Sequence, residues 1–544
     1  MIKTNCWWET EGRAETEALL ARLLSGESRQ TTPSAYETAR LVSLARWLPG
    51  HDNRLRFLTA AQRPDGGWGE PDGYGLVPTL SATEALLTVL LHEPPVREDD
   101  RRAVVDAAGR GLTALFHRLG AGSRQSIPDT IGAEVLVPQL VAEINGHLDR
   151  LAAEAGPERF ARWSATSARL GLPAGMDDTA LVSLRGAARS GRPLPSKVWH
   201  SLECLGPDAC AAVGVEVTDG IVGGSPAATV AWLGGMRHDS SVRRLDALQA
   251  RYGGPVPGIC PITVFEHSWV IAALADAGVE SAAPRPIVAG LRRACGPLGA
   301  PAAPGLPADA DDTAAVLYAL ARAGSPASAD CLWHFQADRY FRCFIGERTA
   351  STSTNGHVLD ALLVSTATDE ARRTVAIAEV ADWLIKQQEP DGSWWDKWHA
   401  APYYATYVCA SALSRSGRPG ADAAVAAGVR WLVDTQRADG SWGRWQGTEE
   451  ETSYAVQTLL HTGTDGQPGL DVAAARGCAY LLRPDRVADD TPLWHDKDLY
   501  TPVNVVAANR LAAVRLAADH PRVAELVAWP EPEHPQLSRK VSQS

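Results

Sequence analysis

A seven-residue unit that occurs three times constrains the fold of this chain more than any other feature. The unit has the form Gln-x-x-Asp-Gly-x-Trp and occupies residues 62–68, 388–394 and 436–442. Each copy follows one predicted helix and precedes another. Asp-Gly favours a tight turn, the Trp indole can pack between neighbouring helices, and the Gln side chain can bond a helix terminus. The repeat therefore predicts helix-to-helix connectors of an α-barrel, with a role in packing rather than in chemistry.

The sequence between these connectors predicts an all-α fold. Apolar residues recur three and four positions apart, Gly, Pro and Asp separate the stretches, and alternating β-branched runs are nearly absent. The clearest helical stretches are 35–48, 79–91, 313–323, 374–387, 421–436 and 505–518. One connector lies near residue 65 and two lie between 388 and 442, with a segment rich in Pro, Gly and Ala at 282–308. This distribution predicts two helical domains.

Charge and cysteine content exclude several classes of function. The 52 basic and 64 acidic residues give a formal net charge of −12, and an acidic surface disfavours binding to nucleic acid. No apolar run approaches the ~20 residues of a membrane span, and the first residues lack the apolar core of a signal peptide. The nine cysteines are scattered without a Cys-x-x-Cys pair, which is typical of a reducing compartment. We therefore expect a cytoplasmic protein without integral membrane association.

Three carboxylates crowd into four positions at Asp309, Asp311 and Asp312, where a helix is predicted to begin. One interpretation is a helix cap, because Asp is favoured at a helix N-terminus. The other interpretation is chemical. Three ionised carboxylates this close would repel one another, so one of them is expected to hold its proton near neutral pH. A carboxylic acid kept neutral in this way is what general-acid catalysis needs.

The acidic cluster and the connectors together resemble a known family. Asp309-x-Asp311-Asp312 resembles the DxDD motif of class II terpene cyclases, and the three connectors are similar to the QW motifs of that family. Further segments resemble those of bacterial class II diterpene cyclases of the copalyl and halimadienyl diphosphate synthase kind. These segments are SAYETA at 34–39, SPAAT at 225–229, FEHSW at 265–269, FRCFIGE at 341–347, DKWH at 396–399 and LWHDKDLY at 493–500.

The resemblance implies a fold of two α/α-barrels, called β and γ, with γ inserted after the first β helix and the active site between them. On this basis we predict residues 1–48 as the N-terminal part of the β domain, 49–284 as the γ domain, and 285–544 as the main part of β. The resemblance also implies a reaction in which an isoprenyl diphosphate is protonated at its terminal double bond and cyclised with the diphosphate retained. Asp311 is then the acid, and Asp309 and Asp312 hold it in its protonated form.

Other residues receive roles by the same resemblance. The residue that anchors the acid in the family corresponds to His357 here. Asn355 lies in the same segment, and we include both residues in the catalytic set. Lys397 and Lys497 are predicted to bind the diphosphate, with a solvated lysine as the alternative. Aromatic residues are expected to line a dry cavity for carbocations, although each alone could equally belong to a core. These residues are Trp269, Trp333, Trp394, Trp398, Tyr404, Trp494 and Tyr500.

Two departures from the family pattern concern the metal and the final deprotonation. The family generally uses Mg²⁺, and the segment expected to bind it contains Glu70 and Asp72 here, without the usual Asp-Arg. In plant ent-copalyl cyclases, a His–Asn pair positions the water that takes the final proton. His200 matches the His and is included among the substrate-binding residues, but Gly258 stands at the Asn position.

Several functions remain open from the sequence. The leading one is cyclisation of geranylgeranyl diphosphate to a bicyclic labdane-, halimane- or clerodane-type diphosphate. The alternative is the same chemistry on farnesyl diphosphate, giving drimenyl diphosphate. A squalene-type triterpene cyclase and a non-catalytic α/α-barrel binding module are less favoured. No DDxxD motif is present, so a separate class I terpene synthase or a phosphatase is expected to act on the product.

Overall fold

The computed structural model describes residues 7–26, 30–92, 97–119, 127–153, 169–236, 238–279, 283–347, 349–462, 468–484 and 491–530. Twenty α-helices occur in these residues. In chain order they are α1 Arg13–Ser25, α2 Ala35–Leu44, α3 His51–Ala60, α4 Leu76–His92, α5 Glu98–Arg118, α6 Ala133–Ala153, α7 Thr179–Arg189, α8 Pro226–Leu233, α9 Asp239–Tyr252, α10 Thr263–Asp276, α11 Arg285–Ala294, α12 Ala310–Arg322, α13 Thr352–Val364, α14 Glu370–Lys386, α15 Pro402–Ser416, α16 Ala421–Thr435, α17 Glu449–Thr462, α18 Pro468–Leu481, α19 Val503–Asp519 and α20 Pro521–Leu526.

Shorter elements join the helices. A π-helical turn spans Trp8–Gly12, and 3₁₀ segments span Ser196–Ala211 and Ala329–His334. The described strands form two antiparallel hairpins. Their strands are β1 Val217–Thr218, β2 Ile221–Val222, β3 Trp494–His495 and β4 Leu499–Tyr500. The predicted all-α class is confirmed, because each of these strands has only two residues.

Six helices of the C-terminal half form a closed ring. Helices α10, α12, α13, α15, α17 and α19 contact one another in that order, and α19 returns to contact α10. Helices α11, α14, α16 and α18 pack outside this ring. The inner helices carry many Ala and Leu side chains that are fully buried, which lets neighbouring helices approach closely. The result is an α/α-barrel.

A second ring is formed by the preceding part of the chain. Helices α2, α4 and α6, the 3₁₀ segment at 196–211 and α8 contact in sequence, and α8 returns to α2. Helices α3, α5 and α7 lie outside. Each ring has its own apolar core. No described helix is both long enough and apolar enough to cross a lipid bilayer.

The helices that flank the predicted domain borders pack across them. Helix α2 precedes the border at 48/49, yet its apolar side chains belong to the core of the first ring. Helix α10 precedes the border at 284/285, yet it is an inner helix of the C-terminal barrel. Helix α1 packs against α19 of that same barrel. The packing therefore favours domain borders near residues 30 and 260, where the chain passes from one ring to the other. The division into two domains itself stays a prediction.

The three connectors adopt the same structure. The indole N–H of the Trp that ends each connector donates to a Leu carbonyl ten residues earlier, at Leu58, Leu384 or Leu432. Each Gln amide donates to the Gly carbonyl of its own turn and to a carbonyl of the following outer helix. These second acceptors are Ala107 in α5, Ala424 in α16 and Ala473 in α18. The predicted packing role of the repeat is present in all three copies.

We expect Gly392→Ala to destabilise the barrel more than Gly417→Ala. Both glycines have positive φ, at +100° and +61°, and left-handed backbone costs an alanine about 1–2 kcal/mol. A Cβ at Gly392 would lie 2.5 Å from the Ala427 carbonyl oxygen, whereas a Cβ at Gly417 would meet no atom within 4 Å. The melting temperatures of both variants measure the difference. Equal losses would show that the turn shifts freely and that the connector is not a rigid joint.

Candidate active site

The acidic cluster lies at the start of α12. Asp309 is the N-cap residue, and its Oδ1 accepts a hydrogen bond from the backbone N–H of Asp312 at 2.8 Å. The N–H of Ala310 donates to the Cys343 carbonyl at 2.9 Å, so the 341–347 loop lies over the helix start. The capping interpretation of the cluster is thus confirmed for Asp309. It leaves Asp311 free to face a different partner.

Burial raises the pKa values of two of the three carboxyl groups. The side chains of Asp309 and Asp312 are buried, and burial raises the pKa of Asp309 to about 7. Burial, followed by repulsion from Asp309 and Asp311, raises the pKa of Asp312 well above its ordinary value. Within the part of the chain that the structure describes, Oδ1 of Asp312 has no hydrogen-bond partner. Both shifts favour the protonated carboxyl groups, and burial contributes more to them than the crowding of the acids.

Asp311 is paired with a histidine of the next inner helix. His357 lies on α13, which packs against α12, and its Nδ1 is 2.8 Å from Asp311 Oδ1. The two side chains are 15% and 14% exposed, so the pair is neither fully buried nor open to bulk water. The hydrogen bond between His357 and Asp311 that the resemblance implies is present in the structure.

Aromatic rings surround this pair on one side. Trp269 of α10 lies 5.0 Å from the His357 ring, in an edge-on arrangement, and Phe265 packs on Trp269 at 4.3 Å. Trp494 of β3 contacts Tyr404 of α15 at 4.7 Å. We call Phe265, Trp269, Tyr404, Trp494 and Tyr500 the aromatic wall. Tyr500 is the β4 partner of Trp494 in the hairpin.

The aromatic wall is anchored by a carboxylate that the sequence did not single out. Glu450 of α17 accepts hydrogen bonds from the Trp494 indole at 2.6 Å and from the Tyr454 hydroxyl at 3.1 Å. His399 Nε2 lies 3.4 Å from the same Glu450 oxygen. These bonds fix ring orientations next to the acid. The wall offers ring faces and edges, and few polar groups, to anything bound beside Asp311.

A second buried cluster contains Lys497. Its ammonium group has no exposed surface and donates to Glu37 at 2.5 Å, Glu203 at 2.7 Å and the Ser225 hydroxyl at 2.8 Å. Burial lowers the pKa of Lys497, but the attraction of Glu203 and Glu37 outweighs it and the pKa is raised. An ammonium group has three donors, and all three are used. Lys497 therefore joins the two rings in this structure, and its binding of a diphosphate stays a prediction.

His200 also has a partner that the sequence did not reveal. Its Nε2 lies 2.7 Å from Asp496 Oδ1, and its Nδ1 lies 2.7 Å from the Gly223 carbonyl. Burial lowers the pKa of His200, and Asp496 raises it by more, so the net pKa is raised. A Cβ at Gly258 would lie 2.6 Å from Asp496 Oδ2. Asp496 thus occupies the space beside Gly258, where the family resemblance leads one to expect an Asn.

Comparison with known proteins places this geometry in a family. The model of the squalene-hopene cyclase C-terminal domain matches residues 347–502. The chain is 44% identical to the ent-copalyl diphosphate synthase of Streptomyces sp. (strain KO-3988), over 92% of this chain and 95% of that protein. It is 38% identical to the labda-7,13-dienyl diphosphate synthase of Streptomyces clavuligerus, over 91% of each. The chain belongs to the class II terpene cyclases.

A solved structure agrees with this assignment. The ent-copalyl diphosphate synthase from Streptomyces platensis superposes on this cyclase with a TM-score of 0.86 at 46% sequence identity. The match covers 93% of this chain and 99% of that one. The cyclase is therefore an enzyme of the isomerase class, and a non-catalytic binding module is not supported.

Four other predicted site residues of the cyclase lie outside the aromatic wall. Asn355 is buried, and its amide bonds the backbone of Phe341 and Ser351 rather than any Asp of the acidic cluster, so it supports the 341–347 loop. Trp333 lies outside the aromatic wall, between Phe341 and the Arg372 guanidinium. Trp398 packs on Phe344 at 6.0 Å. Trp394 is the buried Trp of the second connector.

Lys397 of the cyclase is more accessible than Lys497. Its Nζ pairs with Glu347 and lies 3.2 Å from the Thr349 carbonyl, and 15% of the side chain is exposed. It also lies 4.9 Å from the centre of the Trp398 ring. The pair with Glu347 joins the 341–347 loop to the DKWH segment.

Glu70 and Asp72, the predicted metal ligands, are each paired with an arginine. Arg63 lies 3.4 Å from Glu70, and Arg444 lies 2.8 Å from Asp72. The indole of Trp445 also donates to Asp72, at 2.9 Å. Across the described ranges, no group of three or more His, Cys, Asp and Glu side chains is arranged to hold a metal ion. Asp72 is thereby bonded to the C-terminal barrel, whereas the Arg63–Glu70 pair lies within the first ring, and carboxylates paired with guanidinium groups fit a resident Mg²⁺ poorly.

We expect that removing Lys497 lowers the stability of the cyclase, whereas removing Lys397 weakens substrate binding. Lys497→Met leaves buried Glu37 and Glu203 without their cation and should cost about 3–5 kcal/mol of stability, seen as a fall in melting temperature. Lys397→Met leaves Glu347, whose Oε2 still accepts a hydrogen bond from the Cys343 N–H at 2.7 Å, and should lower the melting temperature less, but raise KM for the diphosphate substrate about tenfold. A Lys497→Met variant with normal stability and a raised KM would support the diphosphate role of Lys497.

The stability of the cyclase should depend on pH through Asp309. Its pKa is about 7 in the folded chain against an ordinary 3.8, so the folded state holds a proton that the unfolded state has lost. Stability from this group is full below about pH 4 and falls as the pH rises to about 7. Asp309→Asn keeps the capping oxygen and removes the titration. Its melting temperature should exceed that of the wild type by about 2–4 °C near pH 8, with the difference vanishing near pH 4. Parallel pH curves would contradict this.

Proposed function

We propose that the cyclase converts geranylgeranyl diphosphate into a bicyclic labdane-, halimane- or clerodane-type diterpenyl diphosphate and keeps the diphosphate attached. The observation that carries the proposal is the Asp311–His357 pair beside the aromatic wall. A partly exposed acid beside aromatic rings suits the protonation of an apolar double bond. The names of the relatives, copalyl and labda-7,13-dienyl diphosphate synthases, support the same reaction class.

In this proposal Asp311 is the general acid. Its carboxyl proton passes to the terminal double bond of the substrate, which leaves a tertiary carbocation and an aspartate. Internal double bonds then attack in turn and close two rings, and loss of a proton ends the reaction. The carboxylate left on Asp311 is stabilised by the hydrogen bond from His357, because a bond to the ionised form is stronger than one to the neutral form.

The aromatic wall protects and stabilises the cations. The faces of Trp269 and Trp494 carry negative charge density, which attracts a cation without reacting with it as a lone pair would. The wall also excludes water, so that ring closure competes successfully with hydration. Buried Asp309 and Asp312 keep protons near neutral pH and limit the negative charge around Asp311.

We further propose Lys397 as a ligand of the diphosphate, which would replace Glu347 as the partner of the ammonium group. Its position at the joint between the 341–347 loop and the DKWH segment supports this role. Because Glu70 and Asp72 are paired with arginines, we propose that Mg²⁺ arrives as the counterion of the diphosphate. A downstream class I terpene synthase or phosphatase would consume the product. The free cysteines support a cytoplasmic location.

Paired incubations test this function. Purified protein is incubated with geranylgeranyl or farnesyl diphosphate, with Mg²⁺ or with EDTA, and dephosphorylated products are analysed by gas chromatography and mass spectrometry. We expect a bicyclic C20 alcohol with Mg²⁺ and a strong reduction with EDTA. Asp311→Asn should lower the rate about 10³-fold. Asp422→Asn, an exposed acid in the first turn of α16, should retain it.

Each other outcome has a defined meaning. A C15 drimane alcohol alone would move the substrate to farnesyl diphosphate while keeping the mechanism. No cyclic product from either diphosphate would contradict the proposal and make squalene the next substrate to test. Full activity in Asp311→Asn would remove Asp311 from the role of acid.

A further inference from the structure

Four side chains of four different inner helices form one line of hydrogen bonds that ends at the acid. The indole Nε1 of Trp269 on α10 donates to the hydroxyl oxygen of Tyr404 on α15 at 3.1 Å. The Tyr404 hydroxyl lies 3.4 Å from Nε2 of His357 on α13. His357 Nδ1 lies 2.8 Å from Oδ1 of Asp311 on α12. Trp269, Tyr404 and His357 also line a cavity in the lumen of the C-terminal barrel.

The direction of this line follows from its first member. An indole N–H can only donate, so the Tyr404 oxygen accepts from Trp269. The hydroxyl hydrogen of Tyr404 is then free to point at His357 Nε2, and no other acceptor for it occurs among the residues that the structure describes. A buried hydroxyl hydrogen without an acceptor is costly, and Tyr404 is only 1% exposed. Tyr404 therefore donates to Nε2, which must be unprotonated.

The same logic continues to the acid. A neutral imidazole carries one N–H, so an unprotonated Nε2 places the hydrogen on Nδ1, facing Asp311 Oδ1. An oxygen that accepts this bond does not hold the acid proton. The proton of Asp311 is then on Oδ2, the oxygen that His357 does not bond. In the other tautomer, Asp311 would donate its own proton to His357 Nδ1 and withhold it from a substrate.

We propose that Trp269 and Tyr404 are positioning residues that hold His357 as the Nδ1–H tautomer and thereby direct the proton of Asp311 onto Oδ2. The inference rests on the proposed role of Asp311 as the acid. When the Oδ2 proton leaves for the substrate, the Nδ1–H bond strengthens on the new carboxylate, and no proton has to move through His357 in that step. Trp269 and Tyr404 thus have a polar role in addition to their place in the aromatic wall.

The chain supplies a matched pair of variants. Tyr404→Phe removes the hydroxyl from the line and keeps the ring. Tyr407→Phe removes a hydroxyl from the same helix and the same cavity, where it bonds Gln457 at 3.3 Å and not His357. Trp269→Phe removes the indole donor and keeps an aromatic ring next to His357. This third variant keeps the inference testable if one tyrosine variant folds poorly.

The decisive measurement is the tautomer of His357, read from the ¹⁵N chemical shifts of its two ring nitrogens in protein labelled with [¹⁵N]histidine at about pH 8. The spectrum of His357→Gln identifies the signal. We expect Nδ1–H with unprotonated Nε2 in the wild type and in Tyr407→Phe, and a mixture of both tautomers in Tyr404→Phe. In parallel, kcat should fall about tenfold in Tyr404→Phe with KM nearly unchanged, and stay within about twofold in Tyr407→Phe.

Two results would overturn the inference: an Nε2–H tautomer in the wild type, or a Tyr404→Phe variant that keeps both the wild-type tautomer and the wild-type kcat. These failures are distinct from failure of the proposed function. A wild-type protein that gives no cyclic product but shows the Nδ1–H tautomer refutes the function and leaves the hydrogen-bond line intact. An active protein with the other tautomer does the reverse.

Discussion

The two barrels depend on one buried cation. Lys497 leaves the loop between β3 and β4 and enters the first ring, where it meets Glu37 of α2 and Glu203 of the 3₁₀ segment. The Tyr36 hydroxyl also donates a hydrogen bond to Glu203, at 2.8 Å. Removing ions from water is costly, and their attraction offsets that cost only when the geometry is good and the remaining polar atoms are bonded. The cluster therefore opposes any shift between the barrels that would lengthen these bonds.

The same absence of water that strengthens this cluster makes the acidic cluster protonated. At Lys497 opposite charges lie together: burial raises the pKa of Glu37 to about 7, the ammonium group opposes that rise, and the two acids raise the pKa of Lys497. At Asp309 and Asp312 like charges lie together, so burial raises both pKa values. One physical condition thus gives an ionic joint at Lys497 and raised carboxyl pKa values at the start of α12. Asp311 differs from its neighbours because it has a histidine partner and because 14% of its side chain is exposed.

Local sequence predicted what local structure controls. The connectors, the capped start of α12 and the all-α class depend on short segments, and the structure has each of them. The contact of His357 with Asp311 was found through motif register. The partners of Lys497 could not be predicted because Glu37 and Glu203 lie 460 and 294 residues away, and no local pattern reveals such partners. Asp496 was missed although it adjoins Lys497 in the sequence, and Glu450 was missed because its three partners come from separate elements.

The path of the chain has a consequence for how this protein is made. Helix α1 packs against the outside of α19 in the C-terminal barrel. Arg510 of α19 pairs with Glu15, and Arg22 bonds Asn504 at 3.3 Å. The segment that α1 needs is synthesised roughly 480 residues later, after the first ring has emerged from the ribosome. The first ring can form during synthesis, but α1 must wait with its apolar face uncovered until α19 has been synthesised. Chaperone demand should therefore fall on the beginning of the chain, and separating the barrels at a single cut would strand a helix of one on the other.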